Sequence, residues 1–297
     1  MQVLRNSWYM VGWAGDLGLG GKLLRVVANE PVVVERSAAD QLIGYCEGAA
    51  RRTVATVIKH RMIWVWLGNS AESDASRIPD FSCFDAVKDS AFFCGHLPTL
   101  ANYELLTDNI LDLSHADFLH PETLGGGVFT RNPPLLKRDG LSLTLTWEAT
   151  NDVALPVFDR MLPHPGQPAH VRIEVRWVPS AVMLLRAQVA PAGERLEDWF
   201  DTHAAHVMTP ETDFKTHYFY GAARNYKVDD ADFNAFQAEM IGRAFEYEDK
   251  PLIEAQQRAM GRAKFFDLKP VLLPIDSGAV QARRVLSRLI ANEWQPP

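Results

Sequence analysis

Two histidines and an aspartate occur close together in the segment DNILDLSHADFLH, residues 108–120. His115 and His120 are five residues apart, and Asp112 precedes the first of them by three. Five residues correspond to about 140° of rotation around a helix, so a straight helix would not direct both imidazoles at one point. A bend or a π-type turn would bring them together, and such turns often mark functional sites.

A metal ion would explain this pattern, although each histidine could also simply line or cap a helix end. Two histidines and one carboxylate hold Fe(II) on one face and leave the other face open to oxygen and substrate. Asp112 is poorly placed as the third ligand. It is better suited to accept the other ring N–H of a ligating histidine, in this chain or on a neighbouring subunit.

The third ligand is expected on a helix packed against the first. The stretch FEYEDKPL (245–252) offers Glu246, Glu248 and Asp249. On composition alone, a solvated acidic helix face is the simpler interpretation of this stretch. Spacing by itself therefore does not choose between these carboxylates.

Periodicity predicts the elements that would position these residues. Residues 101–119 and 277–293 have helical spacing, as do residues 229–261, with a break near Pro251. Strict alternation, typical of half-buried antiparallel strands, occurs in the middle of the chain. The predicted strands are 141–149, 170–178, 182–190, 202–209 and 215–223. We therefore expect an α+β fold, an antiparallel sheet with helices grouped at either end of the sequence.

The N-terminal part is predicted to be rich in β-structure. Residues 23–36 contain two short β-prone runs around a turn at Asn29–Pro31, and MIWVWLG (62–68) is typical of a buried strand. The polar segment 69–80 is the best candidate for a linker. This predicts two domains, residues 1–70 and 71–297.

Composition excludes several classes of protein. The 297 residues, 47% of them hydrophobic, can form one large or two modest cores. The net charge of −7 argues against binding to nucleic acid or to an anionic membrane. Three scattered cysteines do not predict a disulfide framework. Without a signal-peptide pattern or a long apolar run, we expect a cytoplasmic protein.

Seven segments resemble, in the same order, the oxygenase components of Rieske non-haem iron oxygenases, in particular the vanillate O-demethylase and dicamba monooxygenase branch. They are NSWYMVGW, IWVWLG, IPDFSC, NYELLTDNILDLSHADFLHP, HVMTPET, THYFYGAARNY and EDKPLIEAQ. The resemblance covers nearly the whole chain. It implies a helix-grip catalytic domain at 71–297, a truncated all-β Rieske remnant at 1–70, and a homotrimer.

The same resemblance assigns roles to residues. It implies that His115, His120 and Asp249 hold a mononuclear Fe(II). Asp112 would connect this iron to the electron-delivering cluster of the adjacent subunit, and Asn109 would lie beside the iron.

The resemblance also implies an aromatic substrate that carries an acid group. His206 in HVMTPET matches a histidine that contacts the aromatic acid in the dicamba enzyme. We expect it to face a mainly apolar cavity beside the metal and to form a charged hydrogen bond to a carboxylate or phenol oxygen. His203 should face the opposite side of its strand. Leu185 and Met240 match substrate-contacting positions where the dicamba enzyme has a polar amide and a tryptophan, so these two positions do not support dicamba as the substrate. The resemblance as a whole implies a small methoxy-aromatic acid.

One part of the family pattern is absent. A Rieske [2Fe–2S] cluster needs two cysteines and two histidines, which the family places as C-x-H and C-x2-H in the window between Val34 and Met62. That window contains only Cys46 and His60, at an unsuitable spacing. Cys94-Gly95-His96 has C-x-H spacing but no partner pair, and we expect it to belong to the core. We therefore expect no [2Fe–2S] cluster in this chain.

Two functional hypotheses follow. The first is an Fe(II)-dependent aromatic monooxygenase of the O-demethylase type, which binds O2 and depends on a reductase, a separate Rieske ferredoxin, or both. NAD(P)H would then act only indirectly, through such a partner. The second is a non-catalytic subunit that binds an aromatic ligand or serves assembly.

Overall fold

The computed structural model describes residues 1–48 and 50–293. Ala49, in the first predicted domain, and residues 294–297, at the end of the second, lie outside the described residues. The domain division at residue 70 stays a prediction.

Seven short strands make up the N-terminal part. They are β1 (Trp8–Trp13), β2 (Lys22–Val27), β3 (Glu30–Arg36), β4 (Leu42–Cys46), β5 (Arg52–Val54), β6 (Thr56–Lys59) and β7 (Met62–Trp66). They form two antiparallel sheets, ordered β1-β7-β6 and β2-β3-β4-β5. The β2–β3 turn is made by Ala28 and Asn29, both with positive φ, and all of β7 is buried. The predicted β-rich N-terminus is confirmed.

A seven-stranded antiparallel sheet forms the larger part of the molecule. Its strands are β8 (Phe92–Thr99), β9 (Leu135–Asp139), β10 (Ser142–Asp152), β11 (Ala169–Val178), β12 (Val182–Pro191), β13 (Phe200–Thr212) and β14 (Lys215–Arg224). They are ordered β8-β14-β13-β12-β11-β10-β9. The five strands predicted from alternation correspond to β10 to β14. Alternate residues of β10 and β11 are buried, whereas β13 and β14 contain long buried runs because both of their faces are packed.

In the described part of the chain, eight α-helices surround or connect the strands. They are α1 (Ser82–Asp85), α2 (Tyr103–Leu111), α3 (Ala116–Leu119), α4 (Val128–Arg131), α5 (Pro156–Asp159), α6 (Ala231–Arg243), α7 (Lys250–Met260) and α8 (Ser277–Glu293). The α+β class is confirmed. The predicted break near Pro251 takes the form of a π-helical segment, Ala244–Asp249, which joins α6 to α7 without interruption. Within the described ranges, no helix combines the length and apolar character needed to cross a bilayer.

Both faces of the large sheet are covered. Trp147 and Trp177 are buried on the face that packs against the helices. The opposite face packs against the N-terminal strands through a cluster that includes Trp64 and Phe219. Cys94 is exposed on β8, an edge strand, so its predicted place in the core is wrong.

The loop that follows His120 packs tightly against α3 at Gly125. A Cβ atom at Gly125 would lie 2.3 Å from the carbonyl oxygen of Ala116 and 2.7 Å from the Cα of Asp117. These are backbone atoms, so they cannot move aside as the end of a side chain could. The side chain of Asp117 accepts hydrogen bonds from the Gly127 and Thr130 amides, both at 2.8 Å. The loop is thus fixed to the segment that carries both histidines.

We predict that Gly125→Ala lowers the free energy of unfolding by about 1–3 kcal/mol because it overpacks this contact. Urea denaturation of the purified protein would measure the change. Gly18→Ala is the matched control, because its added Cβ would have no heavy atom within 4 Å. Equal stability of the Gly125 variant and the native chain would contradict the predicted clash.

Candidate metal centre

A change of direction at Asp112 precedes both histidines. Helix α2 ends at Leu111, and Asp112 leaves the helical conformation with φ −125° and ψ 88°. A 3-10 turn, Leu113–His115, then leads into α3, which ends just before His120. His115 keeps helical dihedral angles at the start of α3, and His120 leaves them at its end, with φ −122° and ψ 43°.

The π-helical segment Ala244–Asp249 supplies a carboxylate to the same place. Its wider turn buries Phe245 and Asp249 while leaving Glu246 and Glu248 on the outer side. A π-type turn is thus present, but on the second helix rather than between the histidines. Such turns redirect side chains at functional sites, and this one turns a single acid of the acidic run inward.

Asp249 meets both imidazoles. Its Oδ1 lies 3.2 Å from Nε2 of His120 and 3.5 Å from Nε2 of His115. One ligand atom from each of the three residues lies within 4.8 Å of the others. Among residues 1–48 and 50–293, this is the only such group of three histidine, cysteine or acidic side chains.

The other ring nitrogens are held by acceptors. Nδ1 of His115 lies 2.5 Å from the carbonyl oxygen of Asp112, and Nδ1 of His120 lies 2.5 Å from Oε2 of Glu248. A carbonyl and an ionised carboxylate can only accept, so both Nδ1 atoms carry hydrogen. In the neutral rings, each Nε2 then presents a lone pair towards Asp249.

This donor set fits a divalent metal. Two imidazole lone pairs and a carboxylate oxygen repel one another unless a proton or a cation lies between them. Ligand atoms about 2.1 Å from one ion lie roughly 3.0–3.4 Å apart, close to the separations observed here. Burial by itself would lower the pKa of His120, but Asp249 and Glu248 outweigh burial and raise it. The site is thus set up for positive charge.

Asn109 and Asp112 lie next to these three residues. Nδ2 of Asn109 donates to Oδ1 of Asp249 at 3.3 Å. The Asp112 carboxylate accepts from the backbone N–H and the hydroxyl of Ser114, at 3.0 and 2.6 Å. Within this chain it is therefore the carbonyl of Asp112, and not the expected carboxylate, that accepts the ring N–H of His115.

A cavity of about 140 Å³ adjoins the three residues. Its lining is mainly apolar and includes three predicted substrate residues, which are Leu185, His206 and Met240. Leu185 comes from β12, His206 from β13 and Met240 from α6, so these residues meet only through the tertiary fold.

His206 is buried and neutral. Its Nδ1 lies 2.6 Å from the hydroxyl of Tyr218, and its buried Nε2 has no hydrogen-bond partner among the described residues. Burial lowers the pKa of His206 to about 4, so the imidazole itself is uncharged at neutral pH and offers one donor or acceptor. The predicted charged hydrogen bond would then owe its charge to the ligand, and it stays a prediction. His203 has its Nδ1 3.7 Å from Asp201.

Several residues of the site were missed or undervalued in the sequence. Glu248 belongs to the acidic run but had no separate signal, and Tyr218 lies in the predicted strand 215–223 without a signal of its own. The polar residues Thr202, Arg224, Tyr226 and Gln237 also line the cavity; Arg224 and Tyr226 lie in the segment THYFYGAARNY, but nothing in the sequence singled them out. Cys46 and His60, the cysteine and histidine in the window expected for a [2Fe–2S] cluster, have other partners. Sγ of Cys46 accepts a hydrogen bond from Arg52 at 3.3 Å, and Nδ1 of His60 lies 2.7 Å from the carboxylate of Asp85.

Comparison with known proteins places these features in a family. Residues 100–292 match the model of the vanillate O-demethylase oxygenase C-terminal domain. The oxygenase component of dicamba O-demethylase from Stenotrophomonas maltophilia is 29% identical over 240 residues, which cover 80% of this chain and 70% of the relative. The crystal structure of dicamba monooxygenase bound to 3,6-dichlorosalicylic acid has a TM-score of 0.90 at 23% identity, with full coverage of both chains.

A third relative matches at greater length. The iron-sulfur subunit TsaM1 of the toluene-4-sulfonate monooxygenase system of Comamonas testosteroni is 25% identical, with 98% of both chains covered. That alignment extends over 344 positions, more than the 297 residues of this chain, so the relative contains residues with no counterpart here. With the matched domain covering most of its length, the chain belongs to the vanillate O-demethylase family of Rieske-type non-haem iron oxygenase components.

Proposed function

We propose that this chain is an Fe(II)-dependent aromatic monooxygenase component that acts on a methoxy or similar small substituent of an aromatic acid. The observation that supports this most directly is the meeting of His115, His120 and Asp249 at a mainly apolar cavity. Iron bound there would supply the activation of dioxygen for insertion into a C–H bond. Vanillate and toluene-4-sulfonate, in the names of the matched family and of one relative, are both aromatic anions.

The residues of this chain would perform the remaining tasks. Leu185, Met240 and the other apolar lining side chains would exclude water and hold the ring. His206, fixed by Tyr218, would place one uncharged hydrogen bond on a ligand oxygen near the metal end. Asp112 and Glu248 would fix the ring orientation and tautomer of the two histidines, which keeps their Nε2 lone pairs available.

Electrons would have to come from outside the chain. Insertion of one oxygen atom of O2 into a C–H bond, with the other leaving as water, requires two electrons and two protons. We propose that a separate Rieske ferredoxin, itself reduced by a reductase, supplies them, since the sequence lacks the ligand pattern of a [2Fe–2S] cluster. In a homotrimer, Asp112 of one subunit would face the place where the donor delivers them. The alternative is a non-catalytic subunit that binds an aromatic ligand, and the donor experiment below distinguishes it.

Metal affinity should follow the geometry in a graded way. Asp249→Ala should abolish iron binding, because two imidazoles alone hold Fe(II) poorly. Glu248→Gln should weaken it by about 10- to 100-fold, because the acceptor that orients His120 loses its charge. Anaerobic Fe(II) titration with elemental analysis would measure both. Glu246→Gln, in the same π-helical segment but exposed, is the control and should bind iron normally. Full iron occupancy in the Asp249 variant would refute the assignment.

Ligand binding should depend on His206 only moderately. His206→Ala should weaken the binding of an aromatic ligand by about 0.5–1.5 kcal/mol, the value of a neutral hydrogen bond. Tyr218→Phe should have a smaller effect, because it frees the imidazole without removing it. Isothermal titration calorimetry would measure both, with His203→Ala as the control on the same strand. Unchanged affinity of the His206 variant for every aromatic ligand that binds the native chain would exclude this role.

Turnover should require a donor that carries its own cluster. The purified chain should show no visible charge-transfer bands of a [2Fe–2S] cluster and no turnover with NADH and a reductase alone. A small Rieske ferredoxin should restore turnover, measured as release of formaldehyde from a methoxy-aromatic acid. Asp112→Ala should reduce that rate while iron stays bound. Asp112→Asn keeps a side-chain oxygen that accepts from Ser114, so it distinguishes the loss of the negative charge from the loss of this local hydrogen bond. Steady turnover with reductase alone would contradict the proposal, and none with any donor would favour the binding subunit.

A further inference from the structure

The end of the cavity remote from the metal ligands is polar. Four lining residues form what we call the distal polar cluster, Thr202, Arg224, Tyr226 and Gln237. The Tyr226 hydroxyl lies 3.1 Å from the Thr202 hydroxyl and accepts from Nε2 of Gln237, also at 3.1 Å. A polar group of this kind in an otherwise apolar pocket is the usual device for orienting a ligand.

Arg224 is a buried cation without a buried anion beside it. The residue is only 2% exposed, and a guanidinium stays charged at neutral pH. Its Nη atoms donate to Oδ1 of Asn234 at 2.6 Å and to the carbonyl of Ser90 at 2.7 Å. Longer bonds of 3.3 and 3.5 Å reach the carbonyls of Lys227 and Asp230. All of these acceptors are uncharged, and none of the ion pairs found among the described residues includes Arg224.

One donor of this guanidinium is left over. Nε of Arg224 is buried and has no hydrogen-bond partner among residues 1–48 and 50–293. The Phe233 ring, with its centroid 5.2 Å from the guanidinium carbon, stabilises the charge in part. A buried charge and a buried donor that both lack a suitable partner are costly. A ligand that brings an anionic oxygen would offset both costs at once.

The sheet register separates this cation from the metal end. Arg224 pairs with Thr202 across β14 and β13, and Tyr220 pairs with His206. Residues 220, 222 and 224 all line the cavity, as strand alternation requires. Four residues of strand span about 13 Å. An arginine side chain, an aromatic ring and its substituents together bridge a gap of that size.

We propose that Arg224, assisted by the distal polar cluster, binds the carboxylate or sulfonate of the aromatic substrate and so directs its opposite side towards the metal. This inference rests on the proposed function and names the group that selects its substrate class. It also divides the recognition between two residues. Arg224 takes the charged end, and the neutral His206 takes an uncharged oxygen nearer to the metal.

Matched pairs of an aromatic acid and its uncharged amide test this assignment. Suitable pairs are 3-methoxybenzoate with 3-methoxybenzamide, and toluene-4-sulfonate with toluene-4-sulfonamide. Calorimetry on the full-length protein without a donor should show that the native chain prefers the acid by about 30-fold or more. Arg224→Gln should remove that preference while changing the affinity for the amide by less than about threefold. Arg224→Lys, which keeps the charge, should restore part of it.

His206→Gln is the control for position. It should weaken binding of the acid and of the amide by similar factors, so that the preference for the acid remains. Equal loss of acid and amide binding in Arg224→Gln would reduce Arg224 to a structural role and overturn the inference, while leaving the proposed function intact. If that variant does not fold, the native chain alone decides, because equal affinity for acid and amide would exclude an anion site. If the native chain binds neither ligand and no iron, the proposed function fails as well.

Discussion

The arrangement of this molecule depends on one electrostatic constraint. Oδ1 of Asp249 lies 3.2 Å from Nε2 of His120 and 3.5 Å from Nε2 of His115, and one ligand atom from each of the three residues lies within 4.8 Å of the others. Atoms that all carry lone pairs are stable at that separation only with a cation or a proton between them. The carbonyl of Asp112 accepts the Nδ1 hydrogen of His115, and the carboxylate of Glu248 accepts that of His120. These bonds keep the hydrogen of each neutral ring on Nδ1, so that Nε2 keeps its lone pair.

Each structural element around this point serves to hold it. The bend at Asp112 separates α2 from the short segment that carries both histidines, and the tight contact at Gly125 anchors the end of that segment. The π-helical segment turns Asp249 inward and leaves Glu248 next to the outer side of His120. Glu248 contacts Nδ1 of His120, and its neighbour Asp249 contacts Nε2 of the same ring. A small shift of the π-helical segment would therefore disturb both contacts together.

The cavity beside these three residues has a second polar region at its far end. Its walls are mainly apolar, and its two ends are polar for different reasons. The end near Asp249 combines a carboxylate with three imidazoles, and burial lowers the pKa of one of them, His206, to about 4. The distal end carries the buried guanidinium of Arg224. This order of a cationic end, an apolar middle and a proposed metal-binding end is complementary in charge and polarity to an aromatic anion.

Much of this could be predicted from the sequence, because it is local. Periodicity predicted β10 to β14, most clearly β10 and β11, in which alternate residues are buried, and helical periodicity predicted α8 with its observed bounds. The histidines and the acidic run were visible as residue types, and the resemblance of whole motifs chose Asp249 from among its acidic neighbours. The tertiary structure decided which atoms meet. The π-turn that buries Asp249, the carbonyl that replaces the Asp112 carboxylate, and the neutrality of His206 all depend on burial and on contacts between distant segments. Arg224 is the clearest case, since its unpaired charge exists only because folding removes it from water without supplying an anion, and no local pattern of residues encodes that.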